Sequence, residues 1–193
     1  MEYRHAEPLI KTGDILTFKG TWLVSRGIQF VTGQEQSHIG IAVWLNLNGS
    51  RRLCLFESME GSGVRILPLA RTLEDLYWAK GGKVWWHSYL DTSIDGDKVM
   101  KHCFDLWGAG YANHYQFVVI LSPLIKKIRK FLGRSFDTDL NRYHCSELVC
   151  SALVAQGYKH DKDPAITTPG DIAKFPCITA GTLLERDRPE ASY

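Results

Sequence analysis

The feature that most constrains the fold is a strictly alternating stretch near the start of the chain. From Ile39 to Leu45, every second residue is large and apolar, which is the period of a β-strand with two different faces. Residues 46–50 then supply turn chemistry, and Leu53–Ser58 resumes as a second strand. Residues 38–58 are therefore predicted to form a β-hairpin. Further short strands are predicted at Ile15–Lys19, Val64–Leu67 and Val84–Tyr89.

The pattern changes from strands to helices after residue 95. Apolar residues recur at helical spacing in Val99–Trp107, and a second apolar stripe begins near Cys145 and ends before Gly157. Ser122 and Pro123 predict the start of a helix over Leu124–Leu132, while residues 168–171 have the form of a capping box that opens a short final helix. Strands first and helices later predict an α+β chain.

Length and composition limit the class of protein. The chain has 193 residues, 45% of them hydrophobic and 23% charged, with a formal net charge of +2. This balance predicts a globular domain and excludes nucleic acid as an obligatory partner. No apolar run approaches the roughly 20 residues of a transmembrane segment, and no signal peptide is recognised. We expect a cytoplasmic location by default, and release by a route that needs no signal stays open.

The cysteines point to a thiol site rather than to a disulfide framework or a metal. There are five, an odd number, and none forms a CxxC pair. Cys145 lies in Tyr143–Leu148, where a loop leads into a helix, and the first helical turn favours an anion such as a thiolate. Cys145 is therefore the candidate nucleophile. The other four are embedded in apolar patterns and are expected to pack as small hydrophobic residues: Cys54, Cys103, Cys150 and Cys177.

A nucleophilic cysteine needs a base, which is usually a histidine. His38 begins the alternating strand, on the same face as Gly40 and Ala42. These small neighbours leave room for a helix terminus or a substrate to approach. A structural role for His38 stays open on this pattern alone. His144 is the alternative base, but on a helix it projects about 100° away from Cys145.

Two carboxylates are candidates to orient the histidine. Glu57 shares its strand face with Leu53 and Leu55, and a carboxylate on an apolar face needs a partner. A charged residue at the rim of the sheet is the other interpretation of Glu57. Glu147 is the alternative acid, although the helix dipole accounts for an acid in the first turn.

Taken in order, these motifs resemble a known family. The similarity is to the permuted papain-like amidases of the YiiX/YaeF type, a circularly permuted branch of the NlpC/P60 superfamily in which histidine and acid precede the cysteine. It implies an antiparallel sheet or small barrel packed against helices, with the nucleophile at a helix N-terminus. It covers about residues 12–176 of a single domain over 1–193, leaving a polar C-terminal tail. The motifs are Gly13–Leu16, Ser37–Ala42, Phe56–Ser58 with Gly63 and Val64, Tyr143–Val149 and Thr168–Ile172.

The resemblance also implies a function. Cys145 becomes the nucleophile, His38 the general base and Glu57 the residue that orients His38, with Tyr143 near the nucleophile. The implied reaction is hydrolysis of an amide bond through an acyl-enzyme, with a peptidoglycan stem peptide as the favoured substrate and no cofactor or metal. A lipid-directed acyltransferase or phospholipase on the same fold is the first alternative. A non-catalytic binding module is the second.

One segment departs from the compact family pattern. Residues 111–139 insert a basic, amphipathic stretch, Leu124–Leu132, with four cations within Lys126–Lys130. Such a helix can contact an anionic lipid or polymer surface. A solvated charged face above an apolar face on the core is the alternative.

Overall fold

The structure is a computed structural model and describes residues 1–111, 142–161 and 163–188. The predicted helix Leu124–Leu132 and its cations Lys126–Lys130 lie outside the described residues.

An antiparallel sheet of six strands forms the centre of the molecule, in the order β4-β3-β2-β1-β5-β8. The predicted hairpin is confirmed: β2 and β3 pair from Ile41 opposite Phe56 to Leu47 opposite Ser50. Its turn places Asn48 and Gly49 at positive φ, as a tight hairpin requires. The strands of the sheet are β1 (Ile15–Lys19), β2 (His38–Leu47), β3 (Ser50–Met59), β4 (Gly63–Pro68), β5 (Lys83–His87) and β8 (Thr182–Leu184). A separate parallel pair is formed by β6 (Gly110–Tyr111) and β7 (Arg142–Tyr143).

Three predicted helices are confirmed: the one within Val99–Trp107, the one that begins at Cys145, and the short one opened by residues 168–171. The final short helix carries the predicted capping box, since Thr168 Oγ1 accepts the Asp171 N–H and Asp171 Oδ2 accepts the Thr168 N–H, each at 3.1 Å. No helix in the described part of the chain is both long enough and apolar enough to cross a bilayer. The helices are α1 (Tyr3–Ala6), α2 (Leu23–Thr32), α3 (Leu69–Thr72), α4 (Gly96–Asp105), α5 (Cys145–Ala155) and α6 (Pro169–Ile172).

Both faces of the sheet are covered. On one face, α4 and α5 pack over Ile39, Ile41 and Phe56. On the other face, α1, α3 and the turns that follow α3 pack over Leu16 and Phe18. Because β2 begins at the end of the sheet where α5 also begins, the first residues of these two elements are brought together.

Gly40 has a different role from the one expected. An added Cβ there would lie 2.6 Å from Leu55 Cδ1 and 2.8 Å from the Phe56 carbonyl oxygen. The space beside Gly40 is therefore filled by the neighbouring strand β3. The expectation that a helix terminus or a substrate occupies this space is wrong.

Several ordered parts were not expected from the sequence. Among them are α1, α2 and β8, of which β8 pairs with β5 at one edge of the sheet. The segment from Glu185, expected to be a polar tail, contacts the N-terminus: the Glu185 N–H donates to the Met1 carbonyl and the Arg4 N–H donates to Asp187 Oδ1, both at 2.8 Å. The packed part of the chain thus extends on both sides of residues 12–176.

Candidate active site

Cys145 is the first residue of α5 and is 5% exposed. The preceding residue, His144, caps the helix: its Nδ1 accepts the Glu147 N–H at 3.2 Å, and its Nε2–H donates to the Ala165 carbonyl at 2.9 Å. The first N–H groups of any helix lack acceptors within the helix and point outward from its start. The backbone N–H groups of Cys145 and Ser146 are therefore placed to stabilise an anion beside the thiol.

His38 lies between the thiol and a carboxylate. Its Nε2 is 2.7 Å from Glu57 Oε2, and Cys145 lies close enough to the ring to raise its pKa. Since Nε2 is engaged by Glu57, Nδ1 is the ring nitrogen left to face the thiol. The structure thus brings Cys145, His38 and Glu57 into one continuous chain of contacts, the arrangement that a thiol nucleophile, its base and an orienting group require.

Glu57 is fully buried and is held from two sides. Oε2 contacts His38, while Oε1 accepts two hydrogen bonds from Arg65, from Nη2 at 2.8 Å and from Nε at 3.0 Å. Burial alone raises the pKa of this carboxyl, but His38 and Arg65 more than offset it and hold the pKa below its usual value. Glu57 therefore stays ionised and presents a fixed negative charge to the imidazole.

The protonation of His38 follows from its neighbours. Burial lowers the pKa of the imidazole, whereas the charges and hydrogen bonds of Cys145 and Glu57 raise it, and the result is a pKa of about 10. At neutral pH the ring carries both protons. The site therefore places a charged imidazole beside the Cys145 thiol.

The remaining thiols are held in their protonated form. Burial raises the pKa of Cys103 to about 12 and of Cys150 to about 11. It also raises the pKa of Cys54 and Cys177. All five cysteines are free, so Cys145 differs from the other four by its histidine partner.

The other residues that the sequence offered as base or acid, His144 and Glu147, form the cap of α5. The neutral His144 acts as the helix cap, and burial lowers its pKa. Glu147 completes that cap, with Oε2 3.4 Å from the His144 nitrogen, and burial raises its pKa to about 6. Tyr143 is half-buried in β7, packs against the core and has its carbonyl bonded by Ser58 Oγ. A catalytic role for Tyr143 stays a prediction.

A cleft of about 340 Å³ opens over Cys145 and His38, a volume within the range of small-ligand sites. One wall is apolar and comes from the start of α2 and from Leu76. The other is more polar. The lining residues are Gly20, Trp22, Val24, Ser25, Ile28, Ser37, His38, Met59, Glu60, Ser62, Arg65, Leu76, Tyr77, Tyr111 and Cys145.

Two tyrosines and an arginine join the site without having been predicted. Tyr111 pairs with Tyr143 across β6 and β7 and lines the cleft. Tyr77 also lines the cleft, and its ring stacks on that of Phe18. Burial raises the pKa of both phenols well above the usual value, so each remains a neutral hydroxyl. Arg65 lies directly opposite Glu57 in the β3–β4 pairing. A charged pair at matching hairpin positions was the signal in the sequence for Arg65.

Comparison with known proteins identifies the fold. No protein-family model and no curated protein matches the sequence. Among solved structures, the chain is similar to the crystal structure of the metalloprotein YiiX from Escherichia coli, with a TM-score of 0.51 and 20% sequence identity. The match covers 93% of this chain and 99% of that chain. The chain has a YiiX-like fold, as the order of the motifs predicted.

The description of YiiX as a metalloprotein raises the question of a metal at this site. In residues 1–111, 142–161 and 163–188, no three His, Cys, Asp or Glu side chains are grouped to hold a metal ion. Both oxygens of Glu57 are already bonded, one to His38 and one to Arg65. The described residues of the candidate site do not fit a metal centre.

Proposed function

We propose that this chain, on its YiiX-like fold, is a cysteine hydrolase that cleaves amide bonds through Cys145, His38 and Glu57. The proposal includes the permuted papain-like arrangement, in which histidine and acid precede the cysteine along the chain. The observation that carries it is the placement of His38, with Nε2 2.7 Å from a buried carboxylate and the ring beside the thiol of Cys145 at a helix N-terminus.

The proposed reaction has two covalent steps. The Cys145 thiolate attacks the amide carbonyl carbon, and the oxyanion is held by N–H groups at the start of α5. His38 gives its Nδ1 proton to the leaving amine as the C–N bond breaks, which leaves a thioester. Water then attacks the thioester, His38 accepts a proton from that water, and the C–S bond breaks to release a carboxylic acid. Glu57 holds the imidazole in place throughout.

The first test measures the reactivity of the thiol. In the wild type, iodoacetamide is expected to alkylate Cys145 at least roughly tenfold faster than Cys54 or Cys177, because Cys145 lines the cleft beside His38 while burial raises the pKa of the other two thiols. His38→Ala is expected to remove that advantage. His87→Ala is the matched control, since His87 is a buried strand histidine whose ring hydrogen-bonds to Thr17 and Thr179. Peptide mapping by mass spectrometry gives the rate at each cysteine.

Two results would contradict the enzyme proposal. One is alkylation of Cys145 no faster than that of Cys54. The other is an unchanged rate in His38→Ala, because the thiol would then react without its proposed base. Either result would favour the non-catalytic binding module.

The amide substrate that we favour is a peptidoglycan stem peptide, and its support is the motif resemblance. A lipid acyl substrate is the second candidate, supported by the apolar cleft wall of Trp22, Val24, Ile28 and Leu76. Purified muropeptides and phospholipid vesicles, each incubated with wild type and Cys145→Ser, distinguish the two. If a Cys145-dependent product forms from muropeptides and not from vesicles, the amidase is supported. If it forms from vesicles and not from muropeptides, the lipid-directed enzyme is supported.

A further inference from the structure

Helix α2 is attached to the protein with its apolar side facing outward. Leu23 and Phe30, seven residues apart on the same side of the helix, are 87% and 89% exposed. Val24 and Val31 are also exposed, and none of the ten residues of α2 is buried. A helix of a globular domain normally buries its apolar stripe against the core, so this orientation needs an explanation.

The inner side of α2 is held by polar contacts. Gln29 donates from Nε2 to the Gly20 carbonyl at 2.9 Å, and Ser25 lies against Gly20. In the described part of the chain, the helix is therefore anchored by its polar side while its apolar side faces outward.

Charges next to α2 are mainly positive. Arg26 is exposed on the helix, and Lys80 Nζ lies 4.1 Å from the centroid of the Trp22 ring. Lys19 and Lys83 both contact Glu35, just beyond the end of α2, at 2.7 and 3.3 Å. Of these five charged residues only Glu35 is acidic. Tryptophan, leucine and phenylalanine beside basic residues are the composition of helices that lie in a membrane interface.

The same helix forms one wall of the cleft over Cys145. Trp22, Val24 and Ile28 line that cleft, while Leu23 and Phe30 continue the apolar surface outward from it. A surface that contacts Leu23 and Phe30 therefore also lies at the mouth of the cleft.

We propose that the outward side of α2, formed by Trp22, Leu23, Phe30 and Val31 with Arg26 and Lys80 beside it, docks the protein on an anionic phospholipid surface. Docking sets the mouth of the Cys145 cleft against the lipid headgroups. The apolar side chains enter the interface and the cations contact the headgroup phosphates. A bilayer fits this surface because its contact is apolar and planar, with the basic residues at its margin.

The experiment is co-sedimentation with phosphatidylcholine vesicles, with or without phosphatidylglycerol. The wild type is expected to bind the vesicles that contain phosphatidylglycerol, and more weakly as salt is raised. Leu23→Gln and Phe30→Gln are each expected to weaken binding by about tenfold. Leu90→Gln, at another exposed leucine, is the control and should bind as the wild type does. Because both α2 positions are highly exposed, thermal unfolding should confirm that the variants remain folded.

Three results would overturn the proposal. They are no binding to either kind of vesicle, equal binding by the wild type and the α2 variants, or a wild-type dimer in solution that Phe30→Gln dissociates. The last would assign this surface to a second copy of the chain. Cys145→Ser should bind as the wild type does, so failure of docking and failure of the proposed hydrolase are distinguished.

Discussion

At the scale of single residues, the site depends on how one imidazole is charged. The ring of His38 is buried, which by itself favours the neutral form. Glu57 on one nitrogen and Cys145 at the other reverse that preference and raise the pKa to about 10. The extra proton on His38 is therefore a consequence of the two neighbours, and removing either should lower the pKa.

The titration of His38 tests this directly. In the wild type, ¹⁵N NMR of the ring nitrogens should show a doubly protonated imidazole through neutral pH that loses a proton near pH 10. The pKa is raised, so the charged imidazole and its ion pair with Glu57 are present at neutral pH and lost above about pH 10. Cys145→Ser and Glu57→Gln should each move the transition towards the ordinary histidine value of about 6.5. Cys150→Ser, elsewhere on α5, should leave it in place, and an unmoved transition in Cys145→Ser would contradict the pairing.

Arg65 is a positioning residue, because it acts on Glu57 and through Glu57 on His38. Arg65→Met leaves one oxygen of a buried carboxylate without its two donors, which should lower the free energy of unfolding by about 1–3 kcal/mol. Alkylation of Cys145 should slow as well. Arg65→Lys should recover part of both effects, since a single ammonium replaces the fork of the guanidinium.

Urea unfolding and the alkylation rate measure the two effects of Arg65. Arg52→Met is the control, because Arg52 is exposed on the same strand as Glu57. A variant with lower stability but an unchanged alkylation rate would restrict Arg65 to a structural role.

At the scale of elements, the start of α5 places the thiol, and His144 determines that start. His144→Ala removes the acceptor of the Glu147 N–H and should lower the free energy of unfolding by about 1 kcal/mol. His144→Asn restores a capping side chain and should recover most of this stability. Alkylation of Cys145 should be retained in His144→Asn. If the capping variant is stable but its thiol is unreactive, His144 and not His38 serves as the base.

The elements also show which parts of the fold the sequence could predict. The hairpin β2–β3 and helix α5 were predictable, because each has one periodicity and clear end signals. Helix α2 was not expected, because β-branched residues and Gly27 weaken its helix propensity and its apolar side does not face a core. Strand β8 has three residues, too few for an alternating pattern to be seen.

The candidate site also contains residues that the sequence could predict and residues that it could not. Cys145, His38 and Glu57 could be selected by residue type and local pattern, and their contacts follow from β2 and α5 beginning at the same end of the sheet. Arg65 depends on the register of β3 with β4, and Tyr111 on a two-residue parallel pair with β7. The first pairing is a local hairpin, in which the opposite charges of Glu57 and Arg65 were a usable signal. The second joins residues far apart in the sequence, so residue types alone did not reveal it.

At the scale of the whole molecule, the face of the sheet opposite α5 supports the site through aromatic rings that pack against one another. The Phe18 ring lies 5.6 Å from His38 and 4.4 Å from Tyr77, which lines the cleft. Next to Tyr77, the Trp78 ring contacts Tyr3 of α1 edge-on at 6.0 Å. The N-terminal helix is thus connected to the imidazole by a series of aromatic contacts across the core.

Tyr3 tests whether the N-terminal segment is part of the folded unit. The side chain is buried, and its hydroxyl donates to Glu7 at 3.0 Å. Replacing it by alanine leaves a cavity beside Trp78, so Tyr3→Ala should lower the free energy of unfolding by about 3 kcal/mol. Leu9→Ala, at an exposed position in the same segment, should change it by less than about 0.5 kcal/mol.

The effect of Tyr3→Ala is measured by urea unfolding, followed by two independent signals. If the segment belongs to the same cooperative unit as the site, tryptophan fluorescence and protection of Cys150 from alkylation will change together at a lower urea concentration. Under native conditions Cys145 should still react fastest, because Tyr3 touches none of the three site residues. Loss of Cys150 protection at the wild-type urea concentration, with only the fluorescence shifted, would show that the N-terminal segment unfolds separately from the core around α5.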